Sequence, residues 1–70
     1  MTMDYAISKI KALKNERADK FLYKMRFHLT QERYEQHCKD CALVPNNEDN
    51  LVAYLNLMLS IFEYYEREER

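Results

Sequence analysis

Apolar residues recur at helical spacing along most of the chain. Met3, Ala6, Ile7, Ile10 and Leu13 are three or four apart, which puts them on one face of a helix with Lys9, Lys11 and Lys14 outside it. Thr2 precedes them as an N-cap, a hydroxyl placed to accept from a first-turn amide. Ala18, Phe21, Leu22 and Met25 continue the stripe without an intervening glycine or proline, so the pattern predicts a first helix over residues 3–26. Then the phase changes. Phe27, Tyr34, Cys38 and Cys41 share a face rotated by roughly a third of a turn, and one straight helix would have no single buried side. Thr30 supplies the break as the N-cap of a second helix over residues 31–43, with Glu32 in its first turn and Leu29 and Tyr34 as the apolar pair bracketing the cap. Pro45 disfavours helical geometry at Val44, and Asn46 or Asn47 caps a third helix over residues 47–68 that opens with Glu48 and Asp49. Its stripe is Leu51, Tyr54, Leu55, Met58, Ile61, Phe62 and Tyr65. The terminal EYYEREER reads as a solvated helix end, with Glu63 and Arg67, and Glu66 and Arg70, spaced as i,i+4 pairs. The expected fold is all-α: residues 1–70 form one small three-helix domain, paired as a homodimer.

One stretch, FLYKMRFHLT at residues 21–30, also fits a strand. Taken alternately, Tyr23, Met25, Phe27 and Leu29 fall on one side and Lys24, Arg26 and His28 on the other. With Thr30 starting one helix and Asn47 the next, residues 23–65 resemble the ribbon-helix-helix regulators, small dimeric repressors of phages, plasmids and antitoxin operons. That resemblance implies a strand paired with its copy in a dimer, here preceded by an N-terminal helix that has no counterpart in the minimal family. It also implies that Lys24, Arg26 and His28 read the DNA major groove, and that backbone amides near Asn46 and Asn47 hold a phosphate. The helical reading is preferred because the strand, YKMRFHL, would contain no β-branched residue and the first half of the segment continues the stripe begun at Met3. It carries a condition. Tyr23 and Phe27 fall on an outer helical face, so they must pack under the second helix or be covered by a partner.

Composition narrows the function classes. A chain of 70 residues buries too small a fraction of its surface to be comfortably stable alone and gains from a second copy or a partner. It contains no glycine, which excludes glycine-rich phosphate loops and the dinucleotide fingerprint. The apolar runs are too short to span a bilayer and the N-terminus has no apolar leader core, so a cytoplasmic protein that does not enter the membrane is expected. Net charge is -1 but unevenly spread. Residues 1–29 carry seven basic and three acidic side chains, and residues 30–70 carry four and nine. Such asymmetry attracts either a nucleic acid to the first half or the two halves to each other, within or between chains, and the self-complementary fold is the preferred reading.

Chemistry is sparse. HCKDC sets His37, Cys38 and Cys41 within one helical turn, a candidate zinc set, but zinc ligand pairs usually come from two elements held by turns. The preferred reading makes Cys38 and Cys41 small buried hydrophobes and His37 a boundary residue, with no metal and no cofactor. A redox pair would want its first cysteine at a helix N-terminus, and these lie in a helix interior. No serine or cysteine has a recognisable catalytic base nearby, so catalysis is not expected. The six tyrosines are more informative. Tyr5, Tyr23, Tyr54, Tyr64 and Tyr65 cannot all bury their hydroxyls in so small a core, and tyrosine suits interfaces with one dry and one wet edge. The function expected is therefore a non-enzymatic protein-protein interaction module, an adaptor or inhibitor of the compact kind that phages and other mobile elements encode. Its contact residues are Tyr23, Lys24, Phe27, Tyr64 and Tyr65, and its partners are itself and another protein. The alternative is a DNA-binding repressor acting through Lys24, Arg26 and His28.

Overall fold

The computed structural model describes residues 2–69. Four helices follow in order: α1 (Met3–Lys11), α2 (Glu16–Lys24), α3 (Gln31–Asp40) and α4 (Glu48–Glu68). Each begins at a side-chain oxygen that accepts from a first-turn amide. Thr2 accepts from Tyr5, Asn15 from Ala18, Thr30 from Arg33 and Asn47 from Asn50. Each also carries an acid in its first turn, where the helix dipole favours negative charge.

Two expectations and the strand alternative need correction. The first predicted helix is two helices, because Asn15 is a strong N-cap and Lys14 turns the chain through a left-handed conformation at φ 48°. Leu13, which the continuous stripe would have buried, is therefore exposed. The predicted second helix ends at Asp40 rather than 43. Ala42 adopts φ 56°, and the amides of Leu43 and Ala42 donate back to the carbonyls of Cys38 (2.7 Å) and Lys39 (3.3 Å), closing the helix. Glycine normally fills such positions; here lysine and alanine do, at a cost of roughly 1 kcal/mol each. Third, the described residues contain no strand. Residues 21–24 belong to α2, and the amides of Met25, Arg26, His28 and Leu29 donate to carbonyls three or four residues back, which leaves no ribbon edge to pair.

α1 packs on α2 and α3, and α4 packs on the same two helices. The core between them is Met3, Ala6, Phe21, Met25, Leu29, Tyr34, Cys38, Leu51, Tyr54, Met58 and Phe62. Phe21 and Phe62 meet edge to face at 5.5 Å, and Tyr34 and Tyr54 at 5.4 Å. Polar bonds pin the connections. Gln31 Oε1 accepts from the Met3 amide at 2.7 Å, Tyr34 Oη donates to the Pro45 carbonyl at 2.8 Å, and Tyr54 Oη donates to the His28 carbonyl at 2.7 Å. Tyr54 thus leaves the set of tyrosines available for an interface.

The charge asymmetry is resolved within the chain. Arg17, Lys20 and Lys24 lie on one face of α2 and meet Glu63, Glu66 and Glu69 of α4. Lys20 to Glu66 is 2.7 Å, and Lys24 reaches Glu66 at 2.8 Å and Glu69 at 2.6 Å. The helix end read as solvated is therefore a docking edge for α2. Glu63 pairs with Arg17 instead of Arg67. The Glu66 to Arg70 pair lies outside the described residues.

Candidate protein-binding surface

The last turn of α2, the turn after it and the C-terminal half of α4 enclose a concavity of about 380 Å³. Met25 and Phe62, both core residues, form its floor, and Tyr23, Phe27 and Tyr65 are its aromatic walls. The junction of α2 with α3 explains this placement. Met25 caps α2 and turns inward, Leu29 returns to the core ahead of the Thr30 cap, and the residues between them are held outward. Tyr23 and Phe27 are 67% and 69% exposed, so neither packs under α3. Tyr65 is 55% exposed although the sequence puts it in the buried stripe, because α4 there extends past the core.

Arg26 organises the two outermost rings. Its guanidinium lies 4.4 Å from the Tyr23 ring centroid and 4.6 Å from that of Phe27, and it donates to the Tyr23 carbonyl at 2.6 Å. Each cation–π contact at an exposed site is worth about 0.5–1 kcal/mol, enough to bias three side chains toward one arrangement. Among the described residues no carboxylate pairs with Arg26.

Lys24 sits at the inner rim under different constraints. Hydrogen bonds that it donates to Glu66 and then Glu69 raise its pKa, and bonds donated by Lys20 and Lys24 hold the Glu66 carboxyl down at about 2. The rim is thus a fixed ion-pair cluster. Of the proposed contact residues, the concavity gathers Tyr23, Lys24, Phe27 and Tyr65. Tyr64 is exposed outside it, its ring 6.0 Å from that of Tyr65.

For the alternative set the arrangement differs from a groove-reading strand. Lys24 faces Glu66 and Glu69, Arg26 is stacked on its neighbours, and His28 is exposed in a turn. The sequence did not single out Arg26 as the organiser of the aromatics. The signal was present in Tyr23, Arg26 and Phe27 at spacings of three and one, beside a predicted helix end.

In HCKDC, Cys38 is fully buried, Cys41 is exposed at the C-cap of α3, and the His37 ring packs 4.9 Å from that of Tyr54. Burial of both cysteines was expected, and Cys41 corrects it: the helix ends there and the chain turns away at Ala42. No group of three or more His, Cys, Asp or Glu among the described residues is arranged to hold a metal ion. No described helix is long and apolar enough to cross a membrane.

The chain matches no protein-family model, no curated protein and no solved structure.

Proposed function

We propose that this protein is a non-enzymatic interaction module, an adaptor or inhibitor, that works as a homodimer and grips a protein partner in the cleft between the end of α2 and α4. The observation that carries this reading is the bare pair Tyr23 and Phe27, held apart by the Arg26 guanidinium over a floor of Met25 and Phe62. The helical reading of this segment required the two rings to be covered, and none of the described residues covers them. Aromatic side chains and arginine are the residue types that dominate binding energy at protein interfaces, and the fixed geometry reduces the entropy lost on docking. The free guanidinium edge favours a partner that presents a carboxylate or backbone carbonyls beside an apolar side chain.

Affinity capture from the native host tests the reading. Tyr23→Ala combined with Phe27→Ala should release the captured partner, whereas Tyr5→Ala, on the exposed side of α1, should retain it. Retention by the double variant sinks the proposal. Duplex DNA bound at low salt, with affinity falling steeply as salt rises and lost in Lys24→Ala with Arg26→Ala, would favour the repressor instead.

A further inference from the structure

The outward face of α4 is a further surface the fold leaves unexplained. From 50 to 62 the helix carries no charged residue, although charged residues are 33% of the chain. Ala53, Leu57, Ser60 and Tyr64 follow one another at spacings of four, three and four along the side opposite the core, and all four are exposed. Leu57 is 44% and Tyr64 59% exposed. A heptad-like stripe that faces water without charge shares the charge depletion of an interface core, with Leu57 and Tyr64 as its large apolar members. The molecule measures 36 × 26 × 18 Å, and its thinnest dimension is about two helix diameters, so no third layer covers this side.

The geometry points to an antiparallel pairing of α4 with α4 of a second copy of this chain. A two-fold axis between Met58 and Leu59 sets Ala53 opposite the partner's Tyr64 and Leu57 opposite the partner's Ser60. Small faces large at each layer, the condition for close helix packing. The ends agree in charge as well. Asp49 and Arg67 lie on the same flank of the stripe at about 100° per residue, and a two-fold axis in the interface plane preserves flank. Asp49 of each copy therefore meets Arg67 of the other, while Glu68 falls on the opposite flank. Both residues are exposed, and neither is ion-paired with another described residue.

This pairing deepens the homodimeric part of the proposed function and uses a surface separate from the aromatic cleft. One helix laid on another covers less than the roughly 800 Å² per partner of a standard interface, so a dissociation constant on the order of 10–100 µM is expected.

Sedimentation equilibrium between about 10 µM and 1 mM spans that range. The wild type should show a monomer–dimer equilibrium, and Leu57→Lys and Ala53→Glu should each be monomeric with unchanged helical circular dichroism. Asp49→Arg and Arg67→Asp should each weaken association by roughly tenfold, and an equimolar mixture of the two should restore it. A wild type that stays monomeric would overturn both the dimer and its surface. A dimer indifferent to Leu57→Lys, or one that the mixture fails to restore, would overturn the surface alone, and partner capture through the cleft would stand or fall independently.

Discussion

Ala42 and Tyr34 show how single residues hold the chain in shape without glycine. Ala42 sits at φ 56°, where its Cβ crowds the following carbonyl. Ala42→Gly should relieve that strain and raise stability by about 0.5–1 kcal/mol, even after the greater freedom glycine gives the unfolded chain. Thermal melts would check it; a lowered midpoint would mean that the methyl is needed for packing. Tyr34 ties the α3–α4 connection to the core through the Pro45 carbonyl. Tyr34→Phe leaves that acceptor without its donor and should cost about 1–2 kcal/mol. Burial, with a smaller contribution from Cys38, pushes the Tyr34 phenol up to about 12 from an ordinary 10. A raised folded pKa means stability fully present below pH 10 and lost as pH rises through about 12. The alkaline loss in that window should be smaller in Tyr34→Phe.

Among the elements, α2 depends most on specific polar residues. Its short length gives little intrinsic helicity, so its Asn15 cap and its ion pairs to α4 matter more than they would in α4 itself. Asn15→Ala should cost about 1 kcal/mol, measured by urea unfolding. The Glu66 carboxyl is held at about 2 by Lys20 and Lys24, below its ordinary 4.5. Its contribution is therefore complete above pH 4.5 and lost as pH falls toward 2. Glu66→Gln should flatten the acid limb of the stability profile, and salt should narrow the gap between variant and wild type because these groups are partly exposed. Identical acid limbs would mean that the ladder adds nothing to stability.

Much of this level was legible in the sequence. The caps at Thr2 and Thr30, and Asn47 as one of two candidates for α4, declared themselves by residue type and position, as did the apolar stripe of α4. The break at Asn15 was missed because apolar spacing alone bridged residues 13 to 18, although the second part of the stripe lies roughly a fifth of a turn further round. Arg17, Lys20 and Lys24 against Glu63, Glu66 and Glu69 were readable as two single-sign faces, but nothing local said that the two helices would meet. The exposure of Tyr23 and Phe27 depends on where α3 departs, which is a tertiary fact.

For the whole molecule, a two-layer fold of this size leaves apolar surface in water, including two patches suited to partners. One is the aromatic cleft at the α2–α4 end, organised by Arg26, and the other is the charge-free outer face of α4. Capture by three baits, compared quantitatively by mass spectrometry, separates them: wild type, Tyr23→Ala with Phe27→Ala, and Leu57→Lys. Binding through the cleft predicts one host protein enriched on wild type and on Leu57→Lys but lost from the double variant. The same protein enriched equally on all three baits would contradict it.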